Sequence, residues 1–292
     1  MRILIFGGSG MLGHQLWQCL SVRLPETFVV IRQSRQAYKE FKLFKNSERV
    51  FDNIDAMDFS TIQSVLSKIR PDFVLNCVGI TKRREAATDP AVSITLNSLF
   101  PHKLAKWGQD NNAKVVSFST DCVFDGKTGN YTEESLTSAE DIYGKTKALG
   151  EVKTGNALTL RSSFIGPELS HGSELLEWFL AQTGTVKGFK NAVYSGLTTL
   201  ELCRIVEKII FDYPAAKGLY NVSSDPITKF DLLTLIKKKM GLSIEIIPED
   251  NFYCNRSLDS SRFRKEFNYT PPSWEKMVDE LVIELKGRRH DF

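Results

Sequence analysis

The chain has 292 residues, 42% of them apolar and 25% charged, with a formal net charge of +3. That length holds one large domain or two, the composition is ordinary for a globular protein, and the charge is too small to argue for a nucleic-acid partner. Cys19, Cys77, Cys122, Cys203 and Cys254 are scattered with no Cys-x-x-Cys pair, which argues against zinc or a disulfide framework and fits a reducing compartment. Met1-Arg2 leads into only four apolar residues before glycines, too few for a secretory signal. No stretch approaches the roughly 18–20 apolar residues of a membrane helix. The runs 237–239 (Lys) and 288–289 (Arg) are short and read as solvated charges. The expectation is a cytoplasmic protein with neither membrane nor nucleic-acid partners.

Ile3–Phe6 is a short apolar run, the mark of a strand buried on both faces. The turn Gly7-Gly-Ser-Gly-Met-Leu-Gly13 follows at once, and 14–20 reads as helix. A second apolar strand covers 28–31. A helix is expected over 60–69, stopped by Pro71, and a strand over 73–78. Then come a helix over 97–109 with Pro101 near its first turn, a strand over 115–119, a helix over 143–152 and a strand over 157–161. Strands alternating with helices at this spacing imply βαβ units and a mostly parallel sheet, which binds ligands at the carboxyl ends of its strands. Beyond Gly166-Pro167 the alternation weakens. Helices over 175–183, 200–211, 230–240 and 272–285, with strands over 219–222 and 243–247, suggest a smaller part. The expected class is α/β: a Rossmann-type doubly wound parallel sheet with a smaller C-terminal α+β substrate-binding domain. The dinucleotide-binding domain is set at 1–166, completed by about 191–222, and the substrate-binding domain mainly at 167–292.

Gly7, Gly10 and Gly13 make a Gly-x-x-Gly-x-x-Gly turn between a strand and a helix. Such a turn lets backbone approach a pyrophosphate while the helix N-terminus offers free N–H groups; it can also be a purely structural turn. NAD sites usually carry an acid at the end of the second strand, but here that strand ends in Arg32-Gln-Ser-Arg35. Arginine suits a 2′-phosphate, so NADPH is favoured over NADH; the bland alternative is a pair of solvated loop charges. Asp55 can accept from an adenine amino group or cap the following helix. Gly79, ending Asn76-Cys-Val-Gly79, would let backbone pass beneath a nicotinamide ribose. Thr120, in Ser119-Thr-Asp121, can hydrogen-bond a substrate oxygen, or the triplet can simply form a turn. Tyr143 and Lys147 stand four apart on the same helix face. A phenol titrates near 10, and a neighbouring cation would lower that value and make a usable proton donor for a carbonyl/alcohol pair.

Together these features resemble the extended short-chain dehydrogenase/reductase family, and within it the dTDP-4-dehydrorhamnose reductase group. The resemblance covers nearly the whole chain. It is carried by the glycine turn, Ser119-Thr-Asp-Cys-Val-Phe124, Tyr143-Gly-Lys-Thr-Lys147 with Gly150-Glu151, Leu160-Arg-Ser-Ser163, Tyr194-Ser-Gly-Leu-Thr198 and Gly218-Leu-Tyr-Asn-Val222. It implies Tyr143 as general acid, Lys147 on the nicotinamide ribose, and Thr120 on the reacting oxygen. The NADP site so implied comprises Gly7, Ser9, Gly10, Met11, Leu12, Arg32, Asp55, Ala56, Cys77, Val78 and Gly79, with Tyr143 and Lys147; Gly13 completes the pyrophosphate turn. Asp121, Phe124, Tyr194 and Thr198 fall where the group contacts its nucleotide sugar. Lys82, Arg83 and Arg256 can take a nucleotide diphosphate; the alternative is isolated loop charges facing solvent. Members of this fold often pair through helices, which leaves a homodimer open beside a monomer.

The implied reaction is NADPH-dependent reduction of a nucleotide-linked 4-keto-6-deoxy sugar. Two other readings are kept: an epimerase or dehydratase using bound NAD, and a regulatory NADP-binding subunit without catalysis. Cys122, standing after Asp121, argues against a dehydratase, which needs an extra acidic pair there.

Overall fold

Four apolar runs carry the centre of the fold. Ile3–Phe6 (β1), Phe73–Asn76 (β4), Lys114–Ser119 (β5) and Ala157–Arg161 (β6) are buried along their whole length, as a sheet covered on both faces demands. The computed structural model describes residues 1–45, 48–82, 85–170 and 172–290. Thr27–Val30 (β2), Val50–Phe51 (β3) and Gly218–Asn221 (β10) complete a seven-stranded sheet in the order β10-β6-β5-β4-β1-β2-β3. Every neighbouring pair in it is parallel. The order reverses between β1 and β4, and the crevice at that reversal is where such sheets take ligands.

Met11–Arg23 (α1), Phe59–Ile69 (α2), Pro90–Ile94 (α3), Phe100–Asp110 (α4) and Ile142–Leu149 (α5) are the crossovers. In α2 the buried residues Ile62, Val65, Leu66 and Ile69 recur at helical spacing, Asp58 caps the start, and Arg70 in the left-handed region precedes Pro71 at the stop. The helix expected from 97 begins instead at Pro90, with Asp89 as its cap. It continues through a π turn at Thr95–Leu99 into α4. Pro101, which cannot donate to the ladder, therefore lies inside a continuous helical run, and the widened turn accommodates it.

After β6 come Phe164–Ile165 (β7), Leu175–Leu180 (α6), Thr185–Tyr194 (β8), Leu197–Thr198 (β9) and Thr199–Asp212 (α7). Then follow Ile227–Thr228 (β11), Lys229–Met240 (α8), Glu245–Asn255 (β12), Ser261–Glu266 (α9) and Trp274–His290 (α10). A second sheet has the order β11-β8-β12, with β12 parallel to β8 and interrupted between Glu249 and Tyr253. The strand β8 escapes the sequence reading because Lys187, Gly188 and Lys190 break its apolar pattern. One apolar cluster runs from Ile3 and Val29 through Leu160 and Leu202 to Leu233 and Met277. Each fully buried aliphatic or aromatic side chain in it contributes about 1.5–3 kcal/mol relative to exposure.

Candidate functional site

Asp141 caps α5, its Oδ1 accepting from Gly144 N at 2.7 Å. The i, i+4 spacing of Tyr143 and Lys147 turns both toward a cleft of about 440 Å³. Gly10, Met11 and Leu12 line it from the glycine turn, and Cys77, Val78, Gly79 and Lys82 from beyond β4. Thr120 and Asp121 join from beyond β5, Tyr194 from β8, and Arg256 from just past β12.

The glycine turn is built by close approach. Gly7 has φ +78°, and a Cβ there would stand 2.7 Å from the Cys77 backbone. A Cβ on Gly13 would lie 2.1 Å from the Gly7 carbonyl oxygen. Any side chain at either place would push β1, β4 and α1 apart. Gly10 heads α1 with no side-chain cap, so its first N–H groups have no partner within the helix. His14 Nδ1 donates to Gly10 O at 2.8 Å and braces the turn. Ser9 is half-buried beside it and does not line the cleft.

At the end of β2, Arg32 is exposed. Arg35 is held by Asp52, through its backbone N at 2.9 Å and its Nε at 3.4 Å. Asp55 is exposed and forms a turn, its Oδ1 accepting from Met57 N at 2.9 Å. The cap of α2 is Asp58, which accepts from Ser60 N at 2.9 Å; the capping alternative for Asp55 is thereby corrected. Ala56 packs with Val78 against Ile80 and Leu96.

Two expected contacts turn away from the cleft. Phe124 is fully buried, stacked on Tyr131 at 4.0 Å with the Arg161 guanidinium over its ring at 4.9 Å. Only its carbonyl reaches the site, accepting from Arg256 Nε at 2.8 Å. Thr198 is buried as the cap of α7, its Oγ1 accepting from Glu201 N at 3.3 Å. A motif fixes chain position but not the direction of a side chain, and burial decided both. Arg83 lies outside the described residues.

Several residues escaped the sequence reading. Asn97, on the π turn, accepts from Ile80 N at 2.9 Å and donates to Ile80 O at 3.1 Å and Thr146 Oγ1 at 3.2 Å. It ties the backbone beside Gly79 to α5. In the sequence it stood at the start of the expected helix, where an Asn reads as an ordinary cap. Glu168, Glu174, Lys229, Phe252 and Cys254 also line the cleft. Thr81 Oγ1 donates to Glu174 Oε1 at 3.1 Å, a contact across 93 positions that no local pattern reveals.

Burial governs the charges. It pushes the Tyr143 phenol well above its ordinary value, helped by Cys122 and opposed by a hydrogen bond with Thr120. It draws the Lys147 ammonium down to about 8, against the Glu151 carboxylate. The lowering of the phenol expected from its neighbour is therefore overturned. Lys147 Nζ instead donates to Phe118 O at 2.7 Å, and desolvation outweighs attraction. Asp121 is raised by burial, with Arg256 opposing. The Cys122 thiol is pushed up to about 12 by burial, so it stays neutral beside Asp121. The phenol thus stays protonated at neutral pH, set against a hydroxyl and facing the glycine turn across one cleft.

A parallel sheet with this turn and with Thr120, Tyr143 and Lys147 on one cleft is the arrangement that the resemblance to the extended short-chain dehydrogenase/reductases led one to expect. The model of the RmlD substrate binding domain matches residues 1–177, and the chain belongs to that family. It is 26% identical to dTDP-4-dehydrorhamnose reductase of Salmonella typhimurium, covering 98% of both chains. It is 26% identical to the spore coat polysaccharide biosynthesis protein SpsK of Bacillus subtilis, covering 97% of both. A crystal structure of dTDP-4-dehydrorhamnose reductase from Bacillus anthracis in complex with NADP shares the fold with a TM-score of 0.79 at 21% identity, covering 97% of this chain and 99% of that one.

Proposed function

We propose that this chain is an NADPH-dependent reductase of the keto group of a nucleotide-linked 4-keto-6-deoxy sugar, of the dTDP-4-dehydrorhamnose type, serving nucleotide-sugar and polysaccharide biosynthesis. The observation that carries this reading is the convergence of Thr120, Tyr143 and Lys147 on the cleft that the glycine turn enters. The residues present fit NADP: α1 opens on Gly10 with no side-chain cap over its first N–H groups, and Arg32 is exposed at the end of β2. Gly7, Ser9, Gly10, Met11 and Leu12 would hold the pyrophosphate, Arg32 the 2′-phosphate, and Asp55 and Ala56 the adenine. Cys77, Val78 and Gly79 would lie under the nicotinamide ribose, with Lys147 above. Bound NADPH supplies the hydride. Thr120, turning its hydroxyl from Asp121 Oδ1 to the keto oxygen, holds that oxygen with Tyr143, and Tyr143 gives it a proton. Asp121, Lys82, Tyr194 and Arg256 contact the nucleotide sugar. The neutral Cys122 beside Asp121 removes the second acid that a dehydratase would use.

We divide the chain as the alternation suggests, with the cofactor on 1–166 completed by 191–222 and the substrate mainly on 167–292. The placement of β10 beside β6 supports this division. Exposed Ile94, Leu99 and Leu149, on the packed neighbours α3, the π turn and α5, suit pairing of two copies. Five unpaired cysteines fit the cytoplasm, and no helix among the described residues is long and apolar enough to cross a membrane.

The test is stoichiometric loss of NADPH absorbance with a dTDP-linked 4-keto-6-deoxy sugar; cycling of bound NAD without bulk consumption would instead favour an epimerase. Both working groups act protonated, and Lys147 titrates first, at about 8. Hence kcat/KM should fall as pH rises through about 8, because this parameter reports the free enzyme. A profile flat from pH about 7 to about 9 would remove Lys147 from the role.

A further inference from the structure

Two of the cysteines, Cys19 and Cys203, do not line the reaction cleft and take no part in the chemistry proposed above. Cys19 is on α1 and Cys203 on α7, 184 positions apart in the chain. The two helices pack on each other. An ion pair joins them, from Arg23 Nη1 to Glu207 Oε1. Each member of that pair stands four positions beyond one of the cysteines, on the same helix face. The helices therefore run side by side in register, and one turn back from the ion pair the two thiols meet. They hydrogen-bond side chain to side chain. Gln15 Nε2, a further turn back, donates to Cys19 Sγ at 3.8 Å.

Burial gives the two thiols different characters. Cys203 is 2% exposed, and burial pushes its thiol well above the ordinary value. Cys19 is half-buried, and the hydrogen bond with Cys203 draws its thiol below the ordinary value, against the effect of burial. The thiolate is the form that attacks an oxidant. Cys77 and Cys122, which line the cleft, are both pushed up by burial, Cys122 to about 12. Cys19 is thus the thiol open to a small oxidant, and its partner is already in place.

From this geometry we propose that Cys19 and Cys203 form an oxidisable dithiol, which a peroxide converts into a disulfide that clamps α1 on α7. The Cys19 thiolate attacks one peroxide oxygen and the O–O bond breaks. Cys19 becomes a sulfenic acid, and the other oxygen takes up a proton and leaves as water. Cys203 Sγ then attacks Cys19 Sγ, the S–O bond breaks, and a second water leaves with the Cys203 proton. Two thiols lose two electrons, and one peroxide is reduced to two waters. A dithiol reductant reverses the step. The bond ties the helix that opens at the glycine turn to one far along the chain, and a loop of that length restricts the unfolded chain strongly.

The experiment treats the full chain with hydrogen peroxide, blocks the remaining thiols with iodoacetamide, and digests with trypsin without reductant. Cleavage after lysine and arginine puts every cysteine on a separate peptide, with Cys19 in 3–23 and Cys203 in 191–204. The expected product joins 3–23 to 191–204, is lighter than their sum by two hydrogen atoms, and disappears with dithiothreitol. Cys19→Ser should abolish it. The oxidised wild type should melt roughly 4 °C or more above the reduced protein, a gain absent from peroxide-treated Cys19→Ser. Both cysteines still open to iodoacetamide after peroxide, Cys19 carried to a sulfinic or sulfonic acid with no bridge, or a bridge between other cysteines would each overturn the dithiol. A bridge that leaves the melt unchanged would overturn the clamp. Neither readout needs cofactor, substrate or turnover, so the result stands apart from the reductase reading.

Discussion

Replacing Tyr143 by phenylalanine should lower kcat by about 10²–10⁴ while leaving NADPH affinity unchanged, since that is the range a positioned acid contributes. The change removes one oxygen and keeps the ring that packs in the cleft. The lost atom is the proton donor, which burial holds neutral at working pH. No other group in the cleft replaces it well. Thr120 Oγ1 donates to Asp121 Oδ1 at 3.2 Å and accepts from Cys122 N at 3.1 Å, so it is fixed as a hydrogen-bonding partner. Single-turnover kinetics with saturating NADPH gives the chemical step directly. A variant that turns over at the wild-type rate would move the proton donor elsewhere.

The second large effect concerns stability. Arg161 is fully buried and makes a two-pronged contact with Glu151, Nε to Oε1 at 2.8 Å and Nη2 to Oε2 at 2.7 Å. Ser119 Oγ donates to the same carboxylate at 2.7 Å, and Arg161 Nη1 donates to Asn221 Oδ1 at 3.1 Å. The network joins β5, β6, β10 and the end of α5. Arg161→Met should cost about 3–5 kcal/mol, because it leaves the Glu151 charge buried without its partner. Arg161→Met with Glu151→Leu should cost less than the single change, since an apolar pair of similar volume replaces an ion pair at little net loss. Denaturant melts of the wild type and both variants decide it. A double variant weaker than Arg161→Met would show that the hydrogen bonds, not the pairing of charges, dominate.

These examples show what the sequence could and could not reveal. The continuous apolar runs of β1, β4, β5 and β6 were legible because a strand covered on both faces permits little else. The shared face of Tyr143 and Lys147 was legible because helical spacing is local. The titration of that pair was not, because desolvation depends on the packing of distant segments. Gly150-Glu151 and Arg161 stood out as motif pieces, but only the sheet brings them into contact. Phe124 and Thr198 were placed correctly along the chain and wrongly in space. The strand β8 had no clean alternation to announce it.

The widened turn at Thr95–Leu99 has a mechanical consequence. Through Asn97 it fastens the floor beside Gly79 and the helix bearing the proton donor to one amide. The residues proposed for the cofactor bed and for the acid are therefore tied into one hydrogen-bonded unit.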